Sequence, residues 1–171
     1  YANRNELIDE GGGDLDGDPE PGLLLDDFDG DPSWPGQNDL GSWAGANGFA
    51  NNAGVVENGA LVLRYDNGGW FGSEVSQNIS SYDYLIFRIR GENGNEQDDF
   101  KMRIGNAYKF FGEFASAPIT TSWQDIRIDL AANGVNRVSP GQLNFEFWFD
   151  KSGTIYIDEI RFTNEGSEPE E

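Results

Sequence analysis

The sequence has no cysteine and no histidine, one methionine, and 11 lysines and arginines against 31 aspartates and glutamates. Without cysteine there is neither a disulfide framework nor a thiolate nucleophile. Without histidine the chain lacks the commonest general base, the usual zinc ligand and the only side chain that titrates unperturbed near neutrality. Carboxylate-only chemistry survives that exclusion, but it is a narrow route and no enzyme is expected. The formal net charge of −20 repels phosphate at long range, which argues against nucleic acid and anionic membranes as partners. Screening over about 8 Å at physiological salt leaves room for a local basic strip. No apolar run reaches the roughly 18 residues that a membrane-spanning helix needs.

What is present is aromatic and glycine-rich. The 171 residues are 13% aromatic and include 23 glycines, arranged in alternating segments without helical periodicity. That pattern predicts an all-β domain with many turns. Residues 1–22, YANRNELIDEGGGDLDGDPEPG, and residues 163–171 are acidic and poor in apolar side chains, so they read as linkers or arms flanking a domain over 23–162. Linkers at both ends suggest a module cut from a longer chain. Asp14, Asp16 and Asp18 imitate the start of an EF-hand loop, but its twelfth position falls on Leu25 instead of the required glutamate.

The predicted strands are LLLDDF (23–28), a short one near 42–44, ALVLRY (60–65), FGSEVS (71–76), YLIFRIRG (84–91), FKMRIG (100–105), YKFFGEF (108–114), WQDIRIDL (123–130), LNFEFWF (143–149) and TIYIDEIRF (154–162). Turn chemistry such as DNGG and KSG separates them, which favours a sandwich or jelly roll over a closed barrel. Phase assigns Leu61, Leu63, Tyr65, Leu85, Phe87, Ile89, Phe100, Met102, Ile104, Trp123, Ile126, Ile128 and Leu130 to the core. In the last strand, Ile155 and Ile157 share a face with Ile160 and Phe162 only if a β-bulge intervenes at Asp158–Glu159 and re-aims a carboxylate. In LNFEFWF the core stripe is Leu143, Phe145, Phe147 and Phe149. The opposite face then carries Asn144, Glu146, Trp148 and Asp150, and a tryptophan among carboxylates is unusual for a merely solvated strand.

Four pieces in order carry a resemblance: LLLDDFDG followed by Ser42 and Trp43, NGALVLRYDNGGWFGSEVS, TSWQDIRIDL, and FWFDKSGTIYIDEIRF. Together, over about residues 23–162, they resemble a family 11 carbohydrate-binding module; individual pieces also recur in other jelly-roll glycan-binding families and in the complex I intermediate-associated 30 kDa family. The resemblance implies a jelly-roll β-sandwich of two antiparallel sheets with a glycan on the concave one. It also implies structural calcium, with Asp29 and Asp158 at the matching positions and the loop ANGFANNAGV supplying carbonyl oxygens or Asn51 and Asn52. Calcium's preference for six to eight oxygens suits that set; the alternative is that Asp29 caps a turn and Asp158 hydrogen-bonds backbone.

On that arrangement the concave sheet holds the segments around Trp43, 71–76, 100–105, 108–114 and 143–149. It would present Lys101, Arg103, Lys109, Phe111, Glu146 and Trp148, with Trp43 and Trp70 at the rims. Pyranose C–H faces stack on aromatic rings while hydroxyls need charged donors and acceptors. Two plainer readings stay open: Trp148 packed under a loop, and Lys101 and Arg103 paired with Glu146 and Glu113 on a solvated face. This sequence departs from the family's tyrosine-rich cleft, since the stretch after 123–130 is AANGVNRVSPGQ with only Arg137, so ligand identity does not transfer.

The expected function is a non-catalytic module that binds a polysaccharide, a neutral β-glucan-type chain, and targets a linked catalytic domain. It would act as an extracellular monomer with no nucleic-acid or membrane partner. A hydrolase using Glu146 with Glu113 or Asp150 would need two suitably spaced acids, and no paired-acid motif is present. The remaining alternative is a structural or protein-interaction sandwich.

Overall fold

A computed structural model of the chain describes residues 22–29, 37–38, 41–46, 55–115 and 117–164. The strands are β1 (Leu23–Asp26), β2 (Gln37–Asn38), β3 (Gly41–Ala46), β4 (Val55–Glu57), β5 (Ala60–Asp66), β6 (Gly69–Val75), β7 (Tyr84–Gly91), β8 (Phe100–Ile104), β9 (Ala107–Phe110), β10 (Gln124–Asp129), β11 (Gly141–Phe147) and β12 (Ser152–Thr163). They form two antiparallel sheets. The first runs β10-β7-β12-β5-β4 with β1 also on β12, and the second runs β2-β3-β6-β11-β8-β9. The second sheet contains the five segments that the sequence assigns to it.

Asn58 and Gly59 close the β4–β5 hairpin, both with positive φ. Two successive positive-φ residues match the right-handed twist of paired strands, the reason Asn-Gly is favoured there. Asn67 and Gly68, also with positive φ, instead carry the chain from β5 in the first sheet to β6 in the second. Between the sheets the alternating apolar residues interdigitate. Leu61, Leu63, Leu85, Ile89, Phe71, Phe100 and Phe145 are each at most 1% exposed. Tyr65 of the first sheet stacks on Phe147 of the second at 4.3 Å, and Phe87 meets Phe145 edge-on at 6.5 Å. Paired rings of this kind add to area burial.

The bulge expected in the last strand is present. The register of β12 against β7 shifts between Asp158 and Arg161, and Glu159 has φ 52°. It divides the β12 edge: β5 pairs with Ser152–Ile157, and β1 pairs with Ile160–Phe162 beyond the shift. The extra residue thus keeps Ile160 and Phe162 in the core with Ile155 and Ile157.

Three assignments are corrected. Phe149, expected in the core stripe of LNFEFWF, lies beyond the end of β11 and is 70% exposed. The strand expected over 108–114 stops at Phe110, and residues Phe111–Ala115 form a short helix, α1. Trp123 lies on the outer face of the first sheet, in phase with Asp125 and Arg127, whereas Ile126 and Ile128 point inward. The guanidinium carbons of Arg88 and Arg90 stand 5.2 and 5.5 Å from its ring centroid. A tryptophan immediately before a strand follows that strand's parity, and here the parity is outward.

Candidate functional site

Cross-strand register places the outward side chains of the second sheet in rows. One row is Ala46, Trp70, Glu146, Lys101 and Phe110; the next is Ala44, Gly72, Asn144, Arg103 and Tyr108. Trp148 lies two residues beyond Glu146, just past β11, where outward parity continues. Its backbone N–H donates to the Asp99 carbonyl at 3.0 Å, and its carbonyl accepts from Lys151 N at 3.2 Å. Trp148 is 39% exposed and Trp70 is half-buried. The two indoles therefore share one sheet face, one strand over and two residues along.

At one end of the row the aromatic rings group around a cation. Phe110 and Trp148 meet edge-to-face at 5.4 Å. Lys101 Nζ lies 4.6 Å from the Tyr108 centroid, 5.1 Å from Phe110 and 5.3 Å from Trp148, and it makes no ion pair among the described residues. The ring faces hold its charge where a carboxylate would otherwise be expected.

In the middle of the row the groups are polar and mutually satisfied. Glu146 Oε2 accepts from Arg103 Nε at 3.4 Å and from Asn144 Nδ2 at 3.4 Å. Arg103 also lies over Tyr108, 4.2 Å from its centroid. Burial first, and then the hydrogen bond to Glu146, pushes the Tyr108 phenol above its ordinary range. Asn144 is 6% exposed, and its Oδ1 has no hydrogen-bond partner. Its side chain lies against Gly72, where a Cβ would overlap Asn144 Oδ1 and come within 2.6 Å of the Leu143 carbonyl. Only glycine lets the amide lie flat there.

Of the site residues that the sequence points to, Trp70, Lys101, Arg103, Glu146 and Trp148 come together on this face. Three do not. Trp43 is 5% exposed, stacks on Phe71 at 5.0 Å and donates its indole N–H to Asp26 Oδ2 at 2.8 Å. It pairs with Ser73, which is also buried, so its parity is inward. Phe111 is fully buried as the first residue of α1, 5.3 Å from Phe100. Lys109 pairs with inward-facing Met102 at the sheet edge, and its Nζ donates to Asn133 Oδ1 at 2.6 Å. Arg137, the cation of the divergent stretch, donates instead to the Tyr82 carbonyl at 3.0 Å.

Tyr108 and Phe110 are the outward residues that the sequence reading missed. Pairing YKF against the Arg103 and Lys101 parity would have found them had the strand been ended at Phe110.

The candidate calcium ligands are partly within the described residues. Asn51 and Asn52 lie outside them. Asp29 follows β1, and Asp158 stands at the bulge with its Oδ1 buried and unpartnered. Burial, and secondarily the charges of Glu159 and Asp29, push the Asp158 carboxyl up to about 6 against opposing contributions from the Glu159 backbone and Arg88. A buried carboxylate oxygen without a donor beside a second carboxylate is chemistry that suits a hard cation. No cluster of three or more potential ligating side chains occurs among the described residues, so these two carboxylates would need carbonyl or amide oxygens to complete a shell.

No protein-family model matches the chain, and no curated protein matches it either. Solved structures do match. A family 30 carbohydrate-binding module of a cellulosomal cellulase of Clostridium thermocellum aligns with TM-score 0.56 and 21% identity, covering 77% of this chain and 96% of that one. The family 11 module of a cellulosomal cellulase of the same organism aligns with TM-score 0.55 and 13% identity, covering 86% and 97%. A variant of a family 29 module aligns with TM-score 0.52 and 12% identity, covering 86% and 94%. At these identities the likeness fixes the fold: the chain is a β-sandwich of the kind found in carbohydrate-binding modules, as the family 11 resemblance implied.

Proposed function

We propose that the chain is a non-catalytic module that binds a polysaccharide, a neutral β-glucan-type chain, across the outer face of its second sheet. The observation that carries this reading is the placement of Trp70 and Trp148 on one open face with Glu146, Arg103 and Lys101 between and beside them. Sugar rings present C–H faces that stack on indoles, in contacts comparable to aromatic pairs worth roughly 0.5–1.5 kcal/mol each. Their hydroxyls take up the Glu146 acceptor and the arginine and lysine donors. The Glu146–Arg103 pair leaves the middle of the face nearly neutral, and the net charge of −20 disfavours anionic chains. The family 11 structure solved with a β-1,3-1,4-mixed-linked tetrasaccharide makes glucans the first ligands to try.

Catalysis has little support on this face. Glu146 is engaged by Arg103, Asn144 and Tyr108, and no second carboxylate stands in its row or the next. Acid-pair hydrolysis needs two. The module would be an extracellular monomer that raises the effective concentration of a linked catalytic domain on its polymer. Calcium held by Asp29 and Asp158 would have a structural role, joining the end of β1 to the β12 bulge.

Affinity gel electrophoresis against glucans, xylans and mannans tests the reading. Retardation by a neutral glucan is expected, and Trp148→Ala should abolish it with the far-ultraviolet circular dichroism unchanged. Unaltered mobility with every polymer would instead favour the protein-interaction sandwich.

A further inference from the structure

Past Phe110 the sheet ends, and a shallow, largely open pocket of about 410 Å³ begins. Its walls come from a 3-10 turn (Glu96–Asp98), from α1 and from the loop at Ala117–Pro118. Phe110 belongs to both surfaces: it is the last ring of the Trp70–Glu146–Lys101 row and a wall of the pocket. The row from Trp70 to Phe110 crosses three strand spacings, about 14 Å, so a chain lying along it arrives at the pocket mouth.

The lining chemistry is specific. Asp98 and Glu113 both line the pocket, and neither carboxylate has a hydrogen bond or ion pair among the described residues. Gln97 Oε1 accepts from Ile119 N at 2.9 Å, which anchors the loop and leaves the amide N–H groups as donors. Phe110 and Pro118 supply apolar wall. Two acceptors, one donor group and a ring suit a hydroxyl-rich sugar. No cation lines the pocket, so a uronic acid or sulfate ester would meet two uncompensated carboxylates.

We infer that this pocket is a distal subsite that takes a further neutral sugar unit of the chain bound along the row, so that the site favours longer or side-branched neutral glycans over short ones. The inference rests on the glycan reading of the face.

Gly112 offers a clean way to close the pocket. A Cβ there would meet Gln97 Cγ at 3.4 Å, Asp98 Oδ1 at 3.7 Å and Gln97 Cβ at 3.8 Å, all ordinary contacts with side-chain atoms, and the position is helical, where leucine is a better former than glycine. Calorimetric titration of the protein with neutral β-glucan oligosaccharides of increasing length is the test. For the wild type, affinity should rise about three- to tenfold once the ligand is long enough to reach the pocket. Gly112→Leu, and separately Asp98→Ala with Glu113→Ala, should remove that increment and leave affinity for the shorter ligands unchanged, with matched melting temperatures. Equal wild-type affinity at all lengths, or an increment that persists in both variants, overturns the subsite while leaving the face intact. No binding at any length overturns the reading of the face and the subsite together.

Discussion

Three tryptophans of this chain have three different physical roles. Trp43 is sealed between Phe28 and Phe71, at 5.8 and 5.0 Å, with its N–H satisfied by Asp26. Truncating it leaves a large cavity and removes one donor from Asp26, so Trp43→Ala should cost about 3–5 kcal/mol and lower the melting temperature by on the order of 10 °C. Trp148→Ala, on the open face, should cost about 1 kcal/mol or less while removing glycan binding. Thermal melts of the two variants side by side check the contrast. Trp123 stacks with arginines on the opposite sheet, and its loss should leave binding unaffected. Tyr65 is a fourth informative residue: burial first, then its hydrogen bond to Asp99 at 2.6 Å, raises its phenol far above the ordinary value. A raised folded-state value means that the unfolded chain loses the proton first. The Tyr65 contribution is therefore complete below about pH 10 and declines as pH rises beyond it. Denaturant melts should show a shallower alkaline decline for Tyr65→Phe than for the wild type; parallel slopes would refute this assignment.

Among the elements, β12 is the one that departs from regularity for a reason. Its bulge puts Glu159 at φ 52°, a left-handed conformation that costs a non-glycine residue roughly 1–2 kcal/mol, and it leaves Asp158 Oδ1 buried without a donor. Cation binding between Asp29 and Asp158 would offset both costs. Millimolar calcium should then raise the melting temperature of the wild type and not that of Asp158→Asn. Equal melting curves with calcium and with chelator would dismiss the cation and leave Asp158 as a carboxyl whose proton affinity burial raises. The other irregular element is the β9–α1 junction. It turns Phe110 outward and Phe111 inward at adjacent positions, and so it decides which ring reaches the face.

At the scale of the whole molecule the controlling quantity is charge. A net −20 on 171 residues makes the folded state repel itself, and added salt screens that repulsion over a Debye length that falls from about 10 Å at 0.1 M. The melting temperature should rise with sodium chloride, while affinity for a neutral glycan should change little, because stacking and the already paired Glu146–Arg103 carry no net charge to the ligand. A steep salt dependence of binding would point instead to an anionic ligand at Lys101. The two sheets divide the labour: the first carries the bulge and candidate cation site, and the second carries the aromatic face.

Local chemistry settled a large part of this in advance. Alternation of apolar residues defines the strands, Asn-Gly pairs mark tight turns, and the out-of-phase spacing from Ile157 to Ile160 demands a bulge, because each depends on neighbours a few residues apart. The same parity argument correctly turned Lys101, Arg103, Glu146 and Trp148 outward. It failed at Trp43, Lys109, Phe111, Trp123 and Phe149, which lie at or just beyond strand ends, in a short strand or where a strand becomes a helix, and there the pleat that sets the face is lost or shifts by a residue. Convergence of Trp70 with Trp148, the ring cluster around Lys101 and the pocket beyond Phe110 were decided by tertiary structure alone. They arise from pairings between strands far apart in the chain, such as β6 with β11 and β11 with β8, and no local preference encodes which strands become neighbours.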